Sequence, residues 1–338
     1  MSLGEVMLRF DPGDDRIHAA RSFRVWEGGG EYNVARNIAK CFGLNAAILT
    51  ALADNQIGRL VEDLMLQGGL DVSNVVWRET DGISRGVRNG MYFMERGFGL
   101  RPPTGCSDRG NTAISQLKPG DLDWSAMFAA GGPRCFHTGG IFAGLSESTA
   151  ETASAALTAA RNAGVVVSYD LNYRESLWAG RGGRDAANKV NRKLLDNADI
   201  VFGVEGFRPA FAGFDPGAFE SAAREMLGRH PNLKIVATTL RDVHSSSRHD
   251  LAGVCFYDGK VFKSNNFVGV EVLDRVGSGD AFAAGLLYGL LSGRGPQESI
   301  DLAAASAVLS LSSLGDGSSA SLREVQRLMS TSDSAALR

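Results

Sequence analysis

Apolar and polar positions along the chain follow two periods, and the alternation between them predicts the order of elements. Residues 3–10, LGEVMLRF, read as a first strand, and the DPGDD at 11–15 as a turn. A short strand over 20–26 ends at glycines 28–30, which open a helix over 33–42. Over 59–67, Leu60, Val61, Leu64 and Met65 recur at helical spacing, and Gly68 and Gly69 stop that helix. A short strand region follows at 70–77. The stretch 85–118 differs in character: 87–94 read as a strand, Gly97 and Gly99 as a turn, and Pro102-Pro103 preclude a helix. Such a β excursion predicts a small sheet outside the main one.

Leu122-Asp123-Trp124 lead into a helix. Residues 135–141 read as a buried strand ending in a glycine turn, and an Ala-rich helix over 148–163 stops at Gly164. The nearly continuous apolar run 165–169 is what a parallel, doubly covered strand requires. Further strands are expected at 198–203 and 234–238, then a polar loop over 242–250 and a hairpin around Asp258-Gly259. A strand at 270–273 precedes an apolar helix, an Ala- and Ser-rich helix spans 300–314, a last helix spans 321–329, and 330–338 form a loose tail. Strands alternating with helices predict an α/β chain, its mostly parallel sheet covered on both faces.

The candidate chemistry sits at Gly277-Ser278-Gly279-Asp280, between the expected strand at 270–273 and the helix that follows. Small residues let a backbone approach a ligand closely. Free N–H groups at a helix start cradle an anion, and the helix dipole favours negative charge there. Asp280 is out of place in an anion-binding turn unless it has separate work. It either caps the helix or acts as a general base, taking a proton from a hydroxyl while the amides hold a phosphoryl group.

Other motifs fail. Phe282 stands where the third glycine of a dinucleotide fingerprint belongs, and the only Gly-Lys pair, Gly259-Lys260, is followed by Val261, so no Walker A exists. Residues 82–86 match G-x-S-x-G but lack the preceding strand and following helix of a nucleophile elbow. Composition adds limits. The 338 residues suffice for a sizeable core, and a net charge of −3 with no long basic run gives no reason to expect a nucleic-acid partner. No apolar stretch is long enough to span a membrane and no leader pattern opens the chain, which points to the cytoplasm. Four scattered cysteines form no C-x-x-C and are expected as reduced, buried thiols, and the five histidines form no metal motif.

Residues 274–282, DRVGSGDAF, resemble the second signature of the ribokinase-like (PfkB) carbohydrate kinases, in the form found in 2-keto-3-deoxygluconate kinases. Gly28 to Ala35 resemble the first signature, and Ala53 to Gly58 the segment after it. The resemblance implies a ribokinase-like α/β fold, one domain over 1–338, with a small β-sheet lid from about 12–27 and 83–110. It implies that Asp280 is the catalytic base and that Gly277, Ser278 and Gly279 form the anion hole with it. Gly29, Gly30, Asn33 and Arg174 would meet the sugar, and Tyr92 and Arg109 its carboxylate. Arg pairs bidentately with carboxylates, which suits an acid sugar. Asn172, Thr239, Arg241, Gly277, Gly279 and Ser306 would face the nucleotide, with Ser306 on the helix beside the adenine. Where the family carries N-x-x-E near its magnesium, this chain has Val204-Glu205-Gly206-Phe207, leaving Glu205 as the metal candidate.

The implied reaction transfers the γ-phosphoryl of ATP, with Mg²⁺, to a hydroxyl of a carboxylated sugar, 2-keto-3-deoxygluconate or a near epimer. The lid would also serve as a homo-oligomer contact. Two alternatives stay open: a kinase for a neutral sugar of fructokinase or ribokinase type, and a catalytically weak protein that binds sugar and nucleotide.

Overall fold

A computed structural model describes residues 1–330. Among these, ten strands form the main sheet. Its parallel part runs, in spatial order, Ile235–Ser245, Ile200–Phe202, Val166–Asp170, Cys135–Gly139, Ser2–Leu3, Ala46–Leu49 and Leu70–Asp71. Arg248–Tyr257 pairs antiparallel with Ile235–Ser245 and carries Lys260–Lys263 and Phe267–Glu271 along it.

Successive residues of a strand face opposite sides, and here both sides are covered. Phe136, Val201 and Val236 pack with the helices Glu147–Asn162 and Pro216–Arg229 on one face. Their neighbours Cys135, Ile200, Phe202, Ile235 and Ala237 pack with Ser278–Leu291 and Pro296–Ser310 on the other. Gly285 and Gly289 let those two helices touch: a methyl at Gly285 would lie 2.8 Å from the Cα of Ala303, and one at Gly289 2.6 Å from Ser299 Oγ.

A second, separate sheet of four strands runs Arg24–Gly28, Met7–Asp11, Met91–Glu95, Thr104–Asp108. The expected strand over 3–10 is therefore split. Ser2–Leu3 belong to the main sheet, and Met7–Asp11 to the small one. Gly4 lets the chain cross between the sheets, because any side chain there would collide with Glu31 at the start of helix Gly30–Lys40.

Several other boundaries move. The strand expected at 20–26 is Arg24–Gly28, and the helix expected at 300–314 is Pro296–Ser310. The polar stretch 242–250 is no loop: its residues pair as the ends of two long strands that turn at Ser246-Ser247. Of these residues Val243, His244 and Arg248 are exposed, whereas His249 and Asp250 are buried, and Arg248 and His249 pair with Glu271 and Val270 of the neighbouring strand. Cys41, Cys135 and Cys255 are buried, whereas Cys106 is exposed on the outer strand of the small sheet. No helix among the described residues is long and apolar enough to cross a membrane. Ser330 closes the last helix, Leu322–Ser330, and the rest of the expected tail, 331–338, lies outside the described residues.

Candidate active site

In open α/β sheets, ligands bind beyond the carboxyl ends of the strands. A cavity of about 1230 Å³ lies there, between Asp170, Gly203 and Thr238, where the parallel pairing of their strands ends, and the small sheet's Tyr92, Met94 and Ser107. Two helix starts close its floor, Gly30–Lys40 and Ser278–Leu291.

The second of these carries the glycine turn. Gly277 sits at φ 78°, a left-handed conformation that favours glycine, and no side chain caps the amides that follow it. The carbonyl of Asp316 presses against Gly277 where a side chain would have to be. Asp280 does not cap its helix; its Oδ2 accepts a 2.7 Å hydrogen bond from Asn33 Nδ2, which joins the two helix starts. A methyl on Gly30 would lie 3.7 Å from Asn172 Nδ2 and 3.8 Å from Asp280 Oδ1, so these three residues converge on one point of the floor.

Burial holds the Asp280 carboxyl well above the ordinary carboxylate range; the Asn33 hydrogen bond opposes this, and the charges of Asp170, Asp316 and Glu31 add to it. Asp170 is pushed up to about 6 by burial, against the pull of the Asn172 amide and Arg174. A carboxylate made more basic by its surroundings is a better proton acceptor near neutral pH.

The nucleotide candidates divide. Thr239, Arg241 and Asn172 line the cavity with Gly277, Ser278 and Gly279. Arg241 Nη2 donates to Ser278 Oγ at 2.5 Å, so a guanidinium stands at the turn. Burial, and then Arg275, pull its pKa down to about 10. Ser306 requires a correction. It is buried in the seam between the two packed helices, donates to the Leu302 carbonyl at 2.7 Å, and does not line the cavity. Small serines and alanines there serve helix contact.

The sugar candidates Gly29, Gly30, Asn33, Tyr92, Arg109 and Arg174 all line the cavity. Two of them already hold carboxylates: the Tyr92 hydroxyl donates to Asp316, and Arg109 to Glu5. Glu205 also lines the cavity, but Arg192 and Arg229 both hold its carboxylate, and this pairing lowers its pKa. No group of three or more His, Cys, Asp or Glu among the described residues could hold a metal. A protein cage for magnesium built on Glu205 does not fit this wall.

Asp316, Arg9 and Asp274 were not assigned a role from the sequence. Their side chains meet only after folding: Arg9 Nη2 donates to Asp274 Oδ2 at 2.6 Å and Nη1 to Asp316 Oδ1 at 2.9 Å. The one signal available was an arginine inside an apolar strand.

Comparison with known proteins gives a consistent picture. The pfkB family of carbohydrate kinases matches residues 1–205 and 249–323, which leaves Thr239 and Arg241 outside the matched segments. The 2-dehydro-3-deoxygalactonokinase of Haloferax volcanii is 30% identical over 334 residues, covering 98% of this chain and 97% of that one. Among solved structures, the 2-dehydro-3-deoxygluconokinase of Thermotoga maritima superposes with a TM-score of 0.87 at 32% identity, covering 98% of each chain. A putative 2-keto-3-deoxygluconate kinase of Enterococcus faecalis also reaches 0.87, at 26% identity, over 100% of this chain and 98% of its own.

Proposed function

The chain belongs to the pfkB family of carbohydrate kinases, and we propose that it transfers the γ-phosphoryl of ATP to a hydroxyl of a 2-keto-3-deoxy sugar acid. The observation that carries this reading is Asp280, held by Asn33 on the cavity floor at the head of the glycine turn. Its raised pKa suits it to take the proton of the attacking hydroxyl. The amides of 277–279 and the Arg241 guanidinium would oppose the charge that spreads over the transferring group. Asn172 and Thr239 would line the nucleotide's path. Mg²⁺ would accompany the phosphates of the nucleotide rather than a protein cage, since this ion binds through phosphates and few carboxylates.

The acid character of the sugar is supported by charge. Seven arginines line the cavity against four carboxylates, in a chain whose net charge is −3. Both reactants would then be anions in an electropositive cleft, which concentrates them there. The names of the Haloferax and Thermotoga relatives point to the same class, as two epimers.

The test is ATP consumption across sugar acids and neutral sugars, for the wild type, Arg109→Ala and Arg174→Ala. Loss of one charge-assisted contact costs about 1.5–3 kcal/mol, so KM for the acid sugar should rise roughly 10- to 100-fold. Turnover of a neutral sugar in preference to every acid overturns the substrate class. Absence of ATP-dependent turnover with any sugar overturns the kinase reading for this chain.

A further inference from the structure

We propose that Arg9 is a positioning residue that joins the sugar-facing small sheet to the turn ahead of Asp280, so that sugar bound on one side tightens nucleotide binding on the other. The proposal rests on the sugar-kinase reading above. Arg9 is fully buried and does not line the cavity, so it touches neither reactant. It stands behind the wall, at the crossing of three chain segments.

The first segment is the small sheet. Arg9 lies in the strand Met7–Asp11, in register with Tyr92 on the neighbouring strand. Tyr92 faces the cavity among the sugar candidates. The second segment is the turn. Asp274, which takes the 2.6 Å bond from Arg9, also accepts from the Val276 amide at 3.2 Å, one residue before Gly277. The third is the loop carrying Asp316. That carboxylate accepts from both Arg9 and the Tyr92 hydroxyl, while its own carbonyl presses on Gly277.

Two routes therefore run from the sugar wall to the phosphate turn. One goes from Tyr92 through Asp316 to Gly277, and the other from the strand through Arg9 to Asp274. Arg9 joins them, linking residues 265 and 307 positions away in sequence. The Arg9 guanidinium forks rigidly between Asp274 and Asp316, with Asp11 at 3.4 Å from the same Nη2, whereas an ammonium is a point charge on a flexible stem. In a buried place that geometry is strongly enforced, because either carboxylate left unpaired is costly. A shift of Tyr92 on sugar binding is thus transmitted to the turn instead of being absorbed by solvent. Coupling of this kind is reciprocal, and typically 5- to 150-fold.

The experiment is calorimetric. The dissociation constant of a non-hydrolysable ATP analogue is measured with and without saturating 2-keto-3-deoxygluconate, for the wild type, Arg9→Lys and Tyr92→Phe, each checked for folding by circular dichroism. The wild type is expected to bind the analogue at least fivefold more tightly with sugar present. Arg9→Lys should keep the analogue's affinity alone within about threefold and lose most of the sugar effect. Tyr92→Phe, which removes one hydroxyl and no charge, should weaken the same coupling and serves if Arg9→Lys does not fold. A purely structural role for Arg9 would change stability and leave the coupling factor alone. A wild type that binds both ligands without coupling, or a folded Arg9→Lys with full coupling, overturns the proposal only. A wild type that binds neither ligand overturns the kinase reading and this proposal together.

Discussion

Gly277→Ala perturbs the turn that should cradle the phosphoryl group. A left-handed backbone costs an L-residue roughly 1–2 kcal/mol, and Gly277 sits at φ 78°. The new methyl would also collide with the Asp316 carbonyl, which cannot rotate away as a flexible side chain could. Relieving such overpacking costs about 1–3 kcal/mol more. The sum, roughly 2–5 kcal/mol, lowers Tm by about 3–7 °C in a chain of 338 residues. The turn moves to relieve the clash, and a misplacement of about 1 Å costs on the order of 10²-fold in rate. Gly279→Ala is the control. Its methyl would meet nothing within 4 Å, so stability should stay within about 0.5 kcal/mol. Yet that methyl lies in the turn itself, and kcat/KM for ATP should fall at least ~10-fold if phosphate is held there. Scanning calorimetry and steady-state kinetics on both variants check this. If Gly277→Ala melts within 1 °C of wild type and keeps full turnover, neither the strain nor the role assigned to the turn is correct.

Four further outcomes follow from the same geometry. Because burial raises the Asp280 pKa, kcat/KM should fall with decreasing pH through a limb above the ordinary carboxylate value of about 4. Asn33→Ala, which removes the one bond opposing that shift, should move the limb to higher pH. A folded pKa above the unfolded one gives stability that is present at low pH and lost as pH rises through the folded value. Asp280→Asn should therefore raise Tm at pH 8 by about 1–4 °C and have little effect near pH 4. Ser306→Ala should change the KM for ATP less than about twofold, since Ser306 belongs to the helix seam and not to the cavity wall.

The parallel sheet was legible because its strands are buried on both faces and so read as short apolar runs, such as 165–169, between helices. The glycine turn was legible because the small residues and the acid are contiguous. What escaped was written over long sequence distances. The Arg9 linkage joins positions 265 and 307 residues apart, and nothing local marks its members as partners. The 242–250 hairpin end escaped because a strand built of polar residues and a loop share a composition, and the partners that pair with it lie elsewhere in the chain. Glu205 could be read as a ligand only without knowing that Arg192 and Arg229 would hold it. Ser306 was misplaced because a seam of small residues between helices looks, in sequence, like a surface for a flat ligand.

In the proposed reaction Asp280 takes the proton of the acceptor hydroxyl while the turn holds the phosphoryl group. Single-turnover kinetics of Asp280→Asn, alongside its affinity for a non-hydrolysable ATP analogue, tests it most directly. The account predicts turnover lowered by about 10²–10⁴-fold with analogue binding within a few-fold of wild type. Turnover within about threefold of wild type in a pure, folded sample would contradict it.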